Sequence, residues 1–256
     1  MTARSGDLFH PVLLCGRAAG AQLHGFVEPI VVCGDTQSAA VLEELLRAGA
    51  PPKALLLEPG RRGTAPALTL AAVHAITADD PVLLVMPSGQ SIVPAVAWRG
   101  AVEHGTRLAR RGALVAFGIA PAAPLTGYAY IRARTNYVEA FVAHPDDATA
   151  KAWFASGDCL WSCGIYALRA SAWIEALGGL RPDIFRACER AYRKGKRNGA
   201  FVRVDAAAFG ACPAASIDCA VMERIAGDAS TLDAMVVRLD AGASQPGLTP
   251  DSRIAA

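Results

Sequence analysis

Phosphate chemistry asks a chain for backbone amides in a tight loop, a cation nearby and hydroxyls held at helix starts. Residues of these types recur here just behind short apolar runs. Gly16 and Gly20 lie in CGRAAGAQLHG (15–25), directly after VLLC, where the amides of a strand-to-helix loop can cradle phosphate. Gln22 shares that loop, and an ordinary strand-to-helix turn accounts for the same residues. Arg62 and Thr64 fall in LLLEPGRRGTAPALTLAA (55–72). They read either as a delocalised cation and a hydroxyl beside helix-start amides that meet a nucleotide, or as a solvent-facing arginine and a helix cap. His144, in FVAHP, can donate to a phosphate when protonated, although a surface histidine needs no ligand. FGACPAASIDCAVME (209–223) strings small and polar residues in an order that neither helix nor strand propensity demands. Ser216 can cap a helix there, with Asp218 favourable in its first turn. Arg193, Lys194, Lys196 and Arg197 form a basic cluster that can hold an anion or simply face solvent near a helix C-terminus.

The elements that must position these residues alternate. Strands are predicted over 12–15, 29–33, 54–58, 81–87, 113–119, 128–132, 138–143 and 235–240, several of them wholly apolar, as strands buried on both faces require. Helices are predicted over 36–48, behind an Asp35 cap with Gly49 after it, and over 65–77, 94–110 and 148–155, the last after Asp146 and Asp147. Alternation of this kind builds a mostly parallel sheet covered by helices, whose ligands gather at the carboxyl ends of the strands. The loops at 16–25, 58–65, 87–92 and 120–127 are therefore the ones to inspect.

At 256 residues, 53% hydrophobic and 19% charged, the chain suits one large α/β domain rather than two. A net charge of +2 supplies no global field for nucleic acid or an acidic membrane, so phosphate binding must rest on local groups. The odd set of cysteines at 15, 33, 159, 163, 188, 212 and 219 fits neither a disulfide framework nor paired zinc knuckles and implies a reducing, cytoplasmic setting. No metal is assigned to the Cys159/Cys163 pair, which lies in a Trp-containing apolar run. The early apolar run PVLLCG is too short to span a membrane and lacks the flanks of an export signal. We expect a flexible N-terminus over 1–10, one domain over 11–242 and a frayed tail over 243–256.

Over roughly 11–247 the chain resembles the nucleotidyltransferase domain of bacterial type II mannose-1-phosphate guanylyltransferases, which make GDP-mannose from GTP and mannose 1-phosphate. The motifs that carry the resemblance are EPGRRGTAPA, the strand PVLLVMP followed by SGQ, PLTGYAYI, ASGDCLWSCGIY and the 209–223 segment. It implies a Rossmann-like nucleotide-diphosphosugar transferase fold, α/β, with a mostly parallel mixed sheet covered by helices. It implies nucleotide-binding roles for Gly16, Gly20, Gln22, Arg62, Thr64, Pro87 and Ser88, and sugar-binding roles for Gly127, Tyr128, His144, Ser162 and Gly164.

The departures from the family fall on charged ligands. Gln22 stands for an arginine that meets the triphosphate, and Gly89 for the aspartate that holds Mg²⁺. Ala143 and His144 replace a Glu-Lys pair at the sugar phosphate, Ser162 replaces an asparagine, Gly63 replaces an asparagine, and Ser244 or Gln245 stands near the place of a second metal aspartate. The family's glycine-rich loop is shortened, and its C-terminal domain has no counterpart here. Mg²⁺ is the cofactor the resemblance implies, with no ligand assigned; Glu58, Asp158 and Asp218 are alternative carboxylates for it. Two functions follow: a GTP-binding guanylyltransferase of GDP-mannose biosynthesis with weakened catalysis, or a silent homologue that binds a nucleotide sugar or regulates a true family enzyme. The expected partners are nucleotide and sugar phosphate, with no nucleic acid or membrane, and a homo-oligomer or a hetero-oligomer with a family enzyme is compatible with either. Trp161 is expected in the core among Leu160, Ile165 and Tyr166.

Overall fold

The computed structural model describes residues 9–14, 28–76, 80–87, 95–227 and 232–239. Four apolar runs lie side by side as parallel strands β1 (His10–Leu14), β2 (Ile30–Gly34), β3 (Ala54–Glu58) and β4 (Val82–Pro87), in the spatial order β4, β1, β2, β3. Nearly every residue in them is buried, which is why the sequence shows unbroken apolar runs instead of alternation. β1 begins at His10 with Phe9 buried beside it, so the domain reaches into the segment expected to be flexible.

The expected helices are found within one or two residues: α1 (Ser38–Arg47) and α2 (Thr64–Ala75) return the chain between these strands, and α3 (Ala95–Arg110) and α4 (Asp147–Ser156) follow later. Gly49 follows α1 at φ 71°, and the Asp146 carboxylate accepts from the Thr149 amide at 2.7 Å as the cap of α4. The expected Asp35 cap is corrected. Asp35 opens a 3-10 turn (Asp35–Gln37), and its carboxylate takes both Nε and Nη2 of Arg203, at 2.9 and 2.8 Å. A bidentate guanidinium outcompetes a single amide for that carboxylate.

The second half of the sheet is built around one long strand. β5 (Leu114–Ile119), the hairpin β6 (Tyr130–Arg134) and β7 (Tyr137–Val142), and β11 (Ala234–Arg238) were expected; β8 (Cys159–Arg169) was not. β8 runs antiparallel to β5 along most of its length, while its first residues pair with β6 and its last with β4. Gly164, at φ 66°, sits where the partner changes. β11 enters between β5 and β7, so β8, β5, β11, β7 and β6 form a closed circuit of pairings attached to the parallel strands. At the far edge, β9 (Lys196–Asn198) and β10 (Phe201–Arg203) extend the sheet beyond β3. Lys196 and Arg197 of the basic cluster thus occupy an exposed edge strand, where charge discourages pairing with another chain. Arg197 donates to the Tyr192 hydroxyl at 2.9 Å, and Arg193 lies 3.8 Å from Glu189, in keeping with a solvated face.

Two apolar cores lie on opposite faces of the sheet. One collects α1 and α3; the other collects α2, α5 (Ala170–Leu180), α6 (Pro182–Arg193), α7 (Ala206–Gly210) and the turns around a π-helical stretch Asp218–Met222 that leads into α8 (Glu223–Ile225). α2 is enclosed by the sheet, α5 and α6, and its small residues permit that approach. Its one buried hydroxyl is used twice: Thr69 Oγ1 donates to the Ala65 carbonyl at 2.7 Å and accepts from Trp173 Nε1 at 3.0 Å. Trp173→Phe removes that donor from a fully buried site and should lower stability by roughly 1–3 kcal/mol in urea titrations.

Candidate functional site

Parallel register brings the carboxyl ends of the strands to one edge: Leu14 is level with Pro87, and Gly34 with Glu58. Two groups of residues lie along it.

The first group lies where β3 turns into α2. Glu58 is buried, at 7% exposure, and its Oε1 has no hydrogen-bond partner among the described residues. Loss of water lifts its carboxyl to about 7, against the pull of the Arg61 guanidinium. Four residues later the chain is tied down. Arg62 Nη2 donates to the Gly210 carbonyl at 2.7 Å, the Arg62 carbonyl accepts from the Ala215 amide at 3.0 Å, and Ala65 N–H donates to the Ala215 carbonyl at 3.1 Å. Thr64 Oγ1 accepts from the Ile217 amide at 2.9 Å. The start of α2 is therefore closed by residues 210–217, and Thr64 retains its hydroxyl proton for a further acceptor.

Gly63 explains how that segment comes so close. Its backbone, φ 85° and ψ −179°, lies in a region essentially reserved for glycine, and a Cβ there would stand 2.3 Å from the Ala215 carbonyl oxygen. Gly63→Asn, the residue of the resembled family, should cost roughly 2 kcal/mol or more in chemical denaturation and free the 213–217 segment from α2.

The second group gathers around β8. Gly164 packs with its α-carbon toward Pro87, whose Cγ would lie 3.6 Å from an added Cβ. Ser162 N–H donates to the Ala129 carbonyl at 2.8 Å, and Ser162 Oγ accepts from the Gly164 amide at 3.2 Å. Tyr128 stacks on Trp161 with centroids 4.4 Å apart, and Trp161 is buried, as expected. Pro87, Gly127, Tyr128, Ser162 and Gly164 are thus brought into one neighbourhood. His144 is joined to it through the charge it exerts on Asp218.

Asp218 and Tyr166 connect the two groups. The Tyr166 hydroxyl donates to Asp218 Oδ1. Desolvation raises the Asp218 carboxyl to about 6, with Tyr166 and His144 pulling it down and Glu223 pushing it up. Burial and the Asp218 charge push the Tyr166 phenol well above its ordinary range. Ile217 therefore holds the start of α2 while its neighbour Asp218 holds β8, which makes 210–218 a strap between the two halves of the edge. Sequence reading placed Ser216 as a cap, and Ser216 Oγ does accept from the Cys219 amide at 3.1 Å. It missed the strap, whose only signal was the unexplained order of small and polar residues. It also gave Glu58 no role beyond a spare carboxylate, although a glutamate ending a buried apolar strand is a legible oddity.

Gly16, Gly20, Gln22, Ser88, Gly89, Ser244 and Gln245 lie outside the described residues. Among the described residues, the three spare carboxylates do not assemble a Mg²⁺ site, which needs several convergent oxygens. Asp158 is exposed and accepts from Ser156, with Arg132 at 3.3 Å; Asp218 is committed to Tyr166; Glu58 feels the charge of Arg61. No group of three or more His, Cys, Asp or Glu side chains suited to a metal occurs among the described residues.

Residues 17–212 match the family model described as Nucleotidyl transferase. The xanthan biosynthesis protein XanB of Xanthomonas campestris pv. campestris (strain B100) is 44% identical over 224 residues, covering 86% of this chain and 47% of the relative. The mannose-1-phosphate guanylyltransferase of Escherichia coli (strain K12) is 40% identical over 232 residues, covering 86% and 47%. The chain spans about half the length of these curated relatives. Among solved structures, a mannose-6-phosphate isomerase from Helicobacter pylori superposes with a TM-score of 0.79 at 23% identity, covering 91% of this chain and 98% of that one. A mannose-1-phosphate geranyltransferase from Thermus thermophilus gives 0.71 at 23%, covering 90% and 73%. At that identity the structures establish the fold, a Rossmann-like nucleotide-sugar transferase architecture.

Proposed function

We propose that this chain, which belongs to the nucleotidyl transferase family, binds a guanine nucleotide and mannose 1-phosphate and transfers the guanylyl group between them at a reduced rate. In that reaction a phosphate oxygen of the sugar phosphate attacks the α-phosphorus of GTP, the α–β P–O bond breaks, and pyrophosphate leaves. The observation that carries the reading is the Oε1 of Glu58 at the carboxyl edge of the sheet, unpartnered among the described residues. A buried acceptor without a donor is costly, and guanine presents two adjacent donors, N1–H and the 2-amino group, to one carboxylate. The relatives' names supply the sugar: mannose-1-phosphate guanylyltransferase.

In this reading Glu58 selects the base, Thr64 and Arg62 border the nucleotide, and the backbone of Gly127 with Tyr128 and Ser162 borders the sugar. The strap at 210–218 keeps the two bound groups in register for in-line attack, which is where positioning contributes most of its rate. Bound Mg²⁺ supplies neutralisation of phosphate charge in this family. The described residues do not fit a site for it, and no step here is assigned to it. Membership in GDP-mannose biosynthesis and a cytoplasmic setting belong to the same proposal. No helix among the described residues is long and apolar enough to cross a membrane.

A second reading is favoured by Gly89, Gln22 and Ala143, which stand where the resembled family carries charge. In it the chain is a silent homologue that holds a nucleotide sugar or partners a true family enzyme. Pyrophosphate release from GTP and mannose 1-phosphate in excess Mg²⁺, beside a heat-killed control and a competent family enzyme, separates the two. Slow enzyme-dependent release supports transfer; guanine-nucleotide binding without release supports the silent homologue that holds a nucleotide sugar; neither binding nor release overturns both of these, and failure also to co-purify with a family enzyme overturns the partner role.

A further inference from the structure

Cys188, on the inner face of α6, and Cys212, just past α7, bring their sulfurs to 3.8 Å of each other, and both are almost fully buried. Nothing in the proposed reaction uses them. Cys188 Sγ also points to the Pro66 carbonyl at 3.7 Å, in the first turn of α2, and Cys212 Sγ to the Pro213 carbonyl at 3.5 Å. We propose that Cys188 and Cys212 form a redox-modification site, a dithiol that a hydroperoxide closes to an intramolecular disulfide.

The pair is asymmetric in the way such chemistry needs. Either thiol can donate in their mutual contact; that contact and the Arg62 guanidinium hold the Cys212 thiol down against its burial, while Cys188 is pushed up. Burial lifts Cys33 to about 11 and Cys163 to about 12. In this proposal Cys212, the sulfur that feels the Arg62 guanidinium, is the attacking one. Its thiolate attacks one peroxide oxygen, an S–O bond forms, the O–O bond breaks, and the other oxygen leaves as hydroxide and takes up a proton. Cys188 then attacks the Cys212 sulfur, S–S forms, S–O breaks, and a second water leaves. Two thiols and one hydrogen peroxide give one disulfide and two waters, so the electrons balance.

A disulfide is about 2.05 Å long, so the sulfurs must approach by roughly 1.7 Å. Cys212 lies within the segment that Arg62 holds at Gly210 and that closes α2 at Ala215 and Ile217. Closure of the bond therefore pulls on the strap. The effect on nucleotide binding rests on the function proposed above; the formation of the bond does not.

The test treats the whole chain with hydrogen peroxide, blocks residual thiols under denaturing conditions and maps peptides without reduction. The expected product is 2 Da lighter, with the 188 and 212 peptides joined and released again by dithiothreitol. Before oxidation the native protein should retain phenylarsine oxide, a reagent for paired thiols, and after it should not. Cys188→Ser should leave a Cys212 sulfenic acid that dimedone traps, and Cys212→Ser should leave Cys188 a thiol. Oxidation of other cysteines while 188 and 212 remain alkylatable overturns the proposal, as does over-oxidation of Cys212 without the bond. The wild-type mapping decides the matter even where a serine variant fails to fold. Guanine-nucleotide affinity should drop several-fold on oxidation and recover on reduction. A disulfide with unchanged affinity removes the coupling to the strap, and a reduced protein that binds no guanine nucleotide removes the functional reading while leaving the disulfide intact.

Discussion

Glu58→Gln should weaken GTP and GDP binding by about ten- to a hundred-fold while leaving ATP binding, weak from the outset, unchanged. The size follows from a charge-assisted hydrogen bond in a buried site, worth about 1.5–3 kcal/mol, at about 1.4 kcal/mol per factor of ten. Glutamine keeps the shape but turns one acceptor into a donor facing a donor. Inosine nucleotides, which lack the 2-amino group, should lose part of the wild-type affinity and little of the variant's. The free protein should respond in the opposite sense. The folded carboxyl sits at about 7, above its ordinary value of 4.5, so the folded state keeps a proton that the unfolded chain releases. Below about 4.5 the group is neutral in both states and costs nothing. Stability is lost as pH climbs from there to about 7, by about 3 kcal/mol in total, and then levels off. Glu58→Gln should therefore be more stable than wild type at pH 8 and similar to it at pH 4.5 in urea titrations. Guanine binding should tighten as pH rises through 7, because the ionised carboxylate accepts from both donors. Calorimetric titration showing equal GTP affinity in variant and wild type would remove Glu58 from the base site.

Gly89→Asp should raise the rate of pyrophosphate release at least ten-fold at saturating GTP, mannose 1-phosphate and Mg²⁺. Gly89 occupies a position that the resembled family fills with a metal-binding carboxylate. Localising a divalent cation on transferring phosphate supplies several kcal/mol of transition-state stabilisation, and each 1.4 kcal/mol is about a factor of ten. The gain should appear in barrier height rather than in substrate affinity, so kcat should move more than KM. Turnover that stays at the wild-type level in a variant with an unchanged circular dichroism spectrum would mean that the remaining substitutions, Gln22 and Ala143 among them, suffice to silence the site.

The parallel strands were legible because burial on both faces forces unbroken apolar runs, and β1 to β5 each show one. β8 was not, because it serves different partners along its length. Its Ser162 and Gly164 fall on the site side and its Trp161, Cys163 and Ile165 on the core side, an alternation that reads as a loop motif when quoted whole. α5 escaped for the contrary reason: Ala170 to Leu177 is apolar on most sides, so it presents no amphipathic stripe to find. Asp35 failed as a cap because its partner, Arg203, lies far along the chain and no local rule can see it. At the site, the residue types that suggested phosphate chemistry at Arg62 and Thr64 were legible, but their attachment to Gly210 and Ile217 was not. The same holds for the pairing of Cys188 with Cys212, which sequence spacing alone could not separate from the other cysteines.

The position of β11 has a consequence for how the protein is made. This strand follows all the other described strands in chain order, yet it is seated between β5 and β7 rather than at an edge. A ribosome-bound chain that has not yet released residues 234–238 leaves β5 and the β6–β7 hairpin with unpaired backbone facing one another, ready to accept any foreign strand. β1 to β3 can associate early, but the far half must wait for β11 to emerge. Nascent chains should therefore stay sensitive to protease in that half until then, and they should be most in need of chaperones in that interval.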